Sequence, residues 1–180
     1  MSTVYLTVPG VTNSGPHHWQ TYWEKKFPEK FRRIEQDNWD TPVCSDWTAR
    51  IEEYVQKAGP ENMILLAHSL GCTAVAHWAK DHAASAKGIK GAFLVGPSDC
   101  EAPTYTFDTK GFAPIPLGSL PFRSLVIAST NDQWVPFERA KFFAEAWGSE
   151  LVNVGDQGHI NADSGHGEWP EGLELLKRLD

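Results

Sequence analysis

Residues 64–71 read Ile64-Leu65-Leu66-Ala67-His68-Ser69-Leu70-Gly71, and they narrow the folds open to this chain more than any other stretch. Three apolar residues at a strand end run into small-x-Ser-x-small, and a helical apolar pattern follows over 70–81. Small residues at Ala67 and Gly71 permit a sharp strand-to-helix turn, because the flanking backbones meet there. A serine at such a turn projects its hydroxyl above the carboxyl edge of a sheet. The next backbone N–H, that of Leu70, then lies at a helix N-terminus, where unpaired donors can face a developing negative charge. This is the sequence form of a nucleophile elbow, relaxed by Ala67 where glycine is usual.

Around that unit, strand and helix patterns alternate. The apolar runs predict strands over 4–8, 33–36, 63–67, 90–95, 124–129 and 150–154. Helical periodicity falls over 18–27, 43–57, 70–81, 136–147 and 168–179, with Thr41 before Pro42 reading as an N-cap and first-turn proline. The strands are short and apolar on both faces, as parallel strands covered by helices must be. Such alternation implies a doubly wound, mostly parallel sheet of about six strands in one α/β domain spanning residues 1–180. Sites in these sheets lie at the carboxyl ends of strands. Segment 99–122 breaks the pattern, with Pro103, Pro114, Pro116 and Pro121 among Tyr105, Phe107 and Phe112. A loop of that length inside a compact domain is usually functional or disordered. Its aromatics are expected to wall the site.

A serine nucleophile needs a base, and the base an orienting acid, in the chain order Ser, Asp or Glu, His. Asp132 ends the run Ser129-Thr130-Asn131-Asp132 at the top of the strand over 124–129, just before a helix. Asp99, after the preceding strand, is the alternative acid. His159 follows the last strand through Gly155-Asp156-Gln157-Gly158, and its loop competitor is His166. The first strand opens into Pro9-Gly10-Val11-Thr12-Asn13-Ser14-Gly15, where the second oxyanion donor is expected from the backbone N–H of Val11 or Thr12. Neither GxGxxG nor GxxxxGK[ST] occurs, and HExxH and CxxC are also missing, so no nucleotide, metal or other cofactor is expected.

Net charge is −7, with lysines and arginines scattered, which argues against nucleic acid or an anionic membrane as partner. No apolar run reaches the ~20 residues of a membrane span, and no leader pattern precedes the first strand. The three cysteines, Cys44, Cys72 and Cys100, are far apart and odd in number, which fits buried reduced thiols in a cytoplasmic protein.

With these pieces in place the chain resembles the small serine hydrolases of the retinoblastoma-binding protein 9 / YdeN family, in the α/β-hydrolase superfamily. The resemblance rests on Pro9-Gly10…Asn13-Ser14-Gly15-Pro16…His18-Trp19-Gln20, on Asp37-Asn38-Trp39-Asp40-Thr41-Pro42 with Asp46-Trp47, and on the elbow and acid loop. Its most specific stretch is Gly158-His159-Ile160-Asn161-Ala162-Asp163-Ser164-Gly165…Gly167-Glu168-Trp169-Pro170. The family would imply a triad of Ser69, Asp132 and His159 on a reduced sheet without a lid domain. It would also imply cleavage of small carboxylic esters, or amides, through an acyl-enzyme. The rival expectation is a catalytically silent scaffold used for protein interaction. An LxCxE-type retinoblastoma contact is not expected, since Leu70-Gly71-Cys72-Thr73-Ala74 ends in alanine.

Overall fold

The computed structural model describes residues 3–180. Its strands are β1 (Val4–Val8), β2 (Phe31–Arg33), β3 (Met63–His68), β4 (Gly91–Val95), β5 (Arg123–Ala128) and β6 (Glu150–Asn153). The α-helices are α1 (Trp19–Lys26), α2 (Cys44–Ala58), α3 (Leu70–Asp81), α4 (Ala83–Ala86), α5 (Phe137–Trp147) and α6 (Pro170–Leu176). All the strands pair in parallel, in the order β2-β1-β3-β4-β5-β6. The chain steps outward from β1 to β2 and then returns to β3. The loops after β1 and β3 therefore diverge over a shared crevice, which is where open α/β sheets bind ligands.

Alternation along each strand sorts the core into two layers. Leu6, Val8, Leu65, Ala67, Leu94 and Val126 face Trp47 and Ile51 of α2, Trp78 of α3, and Phe143 and Trp147 of α5. On the other face, Ile64, Leu66, Phe93, Val95 and Ile127 pack on Trp19 and Trp23 of α1 and on Trp169. Each large apolar side chain withdrawn in this way contributes about 1.5–3 kcal/mol. The tryptophans are thus mainly packing residues. Among the described residues, no helix is long and apolar enough to cross a membrane.

The structure departs from the sequence expectations in several places, among them the last helix, which begins at Pro170 and gives way to a 3-10 turn at Lys177. Strand β2 covers Phe31–Arg33 instead of 33–36, because Phe31 stacks on Tyr5 at 4.6 Å and fixes the pairing there. Thr41 is not an N-cap. Its hydroxyl accepts from Asn38 Nδ2 at 2.7 Å, the Pro42 carbonyl accepts from Lys110 N–H at 2.9 Å, and α2 starts only at Cys44. Helix α4 went unforeseen because its four residues are too few to display a period. Phe112 does not wall the site: it is buried against Trp47, ring centroids 5.6 Å apart. The rest of segment 99–122 is tied down through Trp147, whose Nε1 donates to Pro116 at 2.8 Å and whose carbonyl accepts from Leu120 at 3.0 Å.

Candidate active site

Ser69 occupies the turn between β3 and α3 with φ 57° and ψ −126°, a region that side chains other than glycine rarely enter. Strain of this kind persists only where packing overdetermines it. Here Ser69 N–H donates to Val95 at 3.0 Å, and the backbone of Gly71 presses against β1. A Cβ on Gly71 would lie 2.2 Å from the Val8 carbonyl oxygen, so only glycine fits.

The loops after β5 and β6 approach Ser69 as one braced unit. Ser129 Oγ donates to Asn131 Oδ1 at 2.8 Å and accepts from Gln157 N–H at 2.9 Å, while Asn131 Oδ1 also accepts from Gly158 N–H at 2.7 Å. This bracing sets Asp132 beside His159. The imidazole Nδ1 lies 2.8 and 3.0 Å from the two carboxylate oxygens, and Trp134 N–H adds a third bond to Asp132 at 2.8 Å. A carboxylate accepts only, so Nδ1 carries the proton and Nε2 is the bare nitrogen. Nε2 sits 2.9 Å from Ser69 Oγ and accepts its proton bond.

One member of the arrangement was missed in the sequence. Ser98 Oγ is 2.6 Å from Ser69 Oγ and its residue is buried. Because Ser69 donates to His159, Ser98 must donate to Ser69. The available signal was its place two residues beyond Gly96, at the carboxyl end of β4, and a lone serine there carries no motif.

The alternatives are engaged elsewhere. Asp99 is paired with Arg139, whose Nε lies 2.7 Å from Oδ2. His166 sits between Ser164 Oγ at 3.0 Å and Gln157 Oε1 at 3.1 Å. Burial lowers the pKa of His166, and the amide behind it cannot offset an imidazolium charge as a carboxylate can. Of the two first-loop donors, Thr12 N–H is spent on the Trp39 carbonyl at 2.9 Å and is not free to meet an oxyanion, contrary to expectation. Val11 N–H has no acceptor among the described residues, and neither has Leu70 N–H at the start of α3. Gln20 holds this loop against β3, with Oε1 accepting from Ser14 Oγ at 2.5 Å and Nε2 donating to Leu66 at 2.9 Å.

A cavity of about 230 Å³ opens over Ser69. Phe107 and Trp134, ring centroids 5.0 Å apart, form its apolar side. Two further histidines back the other side. His68 Nε2–H donates to the His159 carbonyl at 2.8 Å, and His18 packs on His68 with centroids 4.6 Å apart. Burial, then the neighbouring positive charge of Arg33, then His159 and His166, push His18 down to about 3. Burial likewise holds His68 well below the usual histidine range. Both rings are neutral at ordinary pH.

A parallel sheet with a strained serine between β3 and α3 places the chain among the α/β-hydrolases, with no lid domain among the described residues. Residues 5–178 match the serine hydrolase family, and the chain belongs to that family of hydrolytic enzymes. It is 29% identical to the hydrolase YdeN of Bacillus subtilis strain 168 across 96% of this chain and 93% of that protein. Among solved structures, a YdeN-like hydrolase from Pectobacterium atrosepticum superposes with a TM-score of 0.86 at 34% identity, covering 99% of this chain and 90% of that one. The B. subtilis ydeN product gives 0.81 at 25% identity, covering 99% and 98%. The esterase RhEst1 from Rhodococcus shares the fold, with a TM-score of 0.67 at 14% identity over 99% of this chain and 90% of its own. The YdeN side of the resemblance read from the motifs is thereby borne out.

Proposed function

We propose that the chain, acting as one domain, hydrolyses small carboxylic esters through Ser69, His159 and Asp132 by way of an acyl-enzyme. The observation that carries this reading is the unbroken hydrogen-bond chain from the Asp132 carboxylate through His159 to the Ser69 hydroxyl, at 2.8 and 2.9 Å. His159 Nε2 takes the Ser69 proton as Oγ attacks the carbonyl carbon. Asp132 keeps the imidazole in the correct tautomer and stabilises the imidazolium. Ser98 donates to Oγ, which fixes its rotamer and offsets charge building on it. The N–H groups of Leu70 and Val11 receive the oxyanion. His159 next delivers the proton to the departing alkoxide, and the acyl group remains on Oγ. Water, deprotonated by His159, then attacks the acyl carbon; the acid leaves and Ser69 regains its proton. No step calls for a cofactor.

Esterase is the activity named for RhEst1, which shares only the fold, and it is the substrate class we bring to this chain. Amides are a second class that the same groups could serve. The small cavity of about 230 Å³ favours short acyl chains, since each added CH₂ gains about 0.8 kcal/mol only where it can be buried. We expect kcat/KM to peak at about two to six acyl carbons. The scattered positive charge gives no footing for nucleic acid or membrane, and the unpaired thiols, buried at Cys44 and Cys72 and only half-buried at Cys100, suit the cytoplasm.

A fluorophosphonate probe and a panel of p-nitrophenyl esters test the reading. Labelling and turnover are expected in the wild type and in His166→Ala, and lost in Ser69→Ala and His159→Ala. A wild type that the probe never labels would favour the silent scaffold. Activity kept by His159→Ala and lost by His166→Ala would move the base.

A further inference from the structure

His18 is the N-cap of α1, and its Nδ1 accepts from Gln20 N–H at 3.2 Å. A backbone N–H only donates, so Nδ1 is bare, and the neutral ring carries its proton on Nε2. That Nε2–H has no hydrogen-bond partner among the described residues, although His18 is only 5% exposed. Buried donors without acceptors are rare in folded proteins, and each calls for a physical reason. The reason here lies in position. His18 lines the same cavity as Ser69 and His159. Its ring packs on His68, which packs in turn on His159 with centroids 4.8 Å apart.

We propose that His18 Nε2–H is a substrate-binding donor, engaging an uncharged oxygen of the ester other than the scissile carbonyl. The inference rests on Ser69 being the nucleophile. The class of acceptor follows from charge. Burial and nearby Arg33 keep the ring from becoming a cation, so it offers an oriented dipole and no net charge. Asp163 lines the same cavity and would repel a carboxylate. An ether, hydroxyl or carbonyl oxygen suits such a donor. The Phe107–Trp134 side accommodates the apolar remainder.

The oxygen could belong to the acyl or to the alcohol portion, and two arms separate these. One compares p-nitrophenyl hexanoate with its 3-, 4- and 5-oxa analogues, in which one CH₂ becomes an ether oxygen. The other compares hexyl acetate with its 3-, 4- and 5-oxa analogues by pH-stat. Each pair is measured in wild type and in His18→Asn. Asparagine keeps an acceptor for Gln20 N–H at the Nδ1 position and is among the best N-caps, but it has no atom at Nε2. Intrinsic reactivity cancels when the oxa-to-parent ratio of kcat/KM is compared between proteins.

One net hydrogen bond predicts that this ratio falls about tenfold in His18→Asn, at one oxygen position of one arm. His18→Gln, whose amide nitrogen reaches the Nε2 position, should recover part of it. Ratios equal in wild type and His18→Asn at every position of both arms would overturn the inference and leave the triad untouched. Failure of fluorophosphonate to label Ser69 in the wild type would instead remove the underlying reading, and the inference with it.

Discussion

Mild acid should destabilise this protein well above the pH at which carboxylates titrate, because it buries two neutral histidines. An unfolded histidine has a pKa near 6.5. Folded His18 lies at about 3, with burial as the main cause. Between those values the unfolded state binds a proton that the native state refuses, so stability falls as pH falls, with a slope of about 1.4 kcal/mol per pH unit for each such group. From pH 7 to pH 5 the loss from His18 alone is about 2 kcal/mol, and His68, shifted in the same direction, adds to it. Against a typical total of about 5–15 kcal/mol, this is a substantial share. The contribution of His18 is fully present above pH 6.5, and it stops changing once pH drops below about 3, where the folded ring also protonates.

Urea unfolding followed by tryptophan fluorescence at pH 7 and pH 5 measures the difference directly. In His18→Asn the same step should cost about 2 kcal/mol less than in the wild type. A wild type equally stable at both pH values, or a His18→Asn variant that loses as much as the wild type, would refute the reasoning.

Three further outcomes are expected. Ser98→Ala removes the donor to Ser69 Oγ, so kcat and the rate of probe labelling should drop by about tenfold with KM little changed, while Ser98→Thr retains most activity; an unaltered kcat would make Ser98 a packing residue only. Asp132→Asn should lower kcat on the order of 10⁴-fold through the wrong imidazole tautomer, the scale known for the analogous change in a protease triad. Asp99→Asn should disturb only the Arg139 pair, and the opposite ordering of the two variants would reassign the acid. Gly71→Ala forces a methyl into the Val8 carbonyl and should cost about 3 kcal/mol or more, seen as a large fall in Tm, whereas Gly15→Ala meets nothing within 4 Å. A Gly71→Ala protein that melted with the wild type would show that the elbow is less tightly packed against β1 than its geometry requires.

The legible parts of this protein are those that depend on neighbours in the chain. Strand β3, the turn at Ser69 and helix α3 could be read together because the apolar run, the small residues and the helical period are all local signals. The positions of Asp132 and His159 at strand ends were legible for the same reason, since parallel strands broken by helices leave their loops on one edge. Contacts between distant segments decided the rest. The ends of β2 depend on Tyr5 stacking with Phe31, and the start of α2 depends on Lys110 bonding to Pro42. Phe112 left the site for the core once α2 and α3 enclosed it, and Thr12 N–H was claimed by Trp39. Ser98 reaches Ser69 across 29 residues, and the bare Nδ1 of His18 acquires its consequence only where α1 lies beside His68. Local propensity and periodicity report how a segment folds. Which hydrogen-bonding groups keep a free donor, and which side chains meet over the sheet, is decided by packing between elements far apart in sequence, and one sequence by itself carries no record of that.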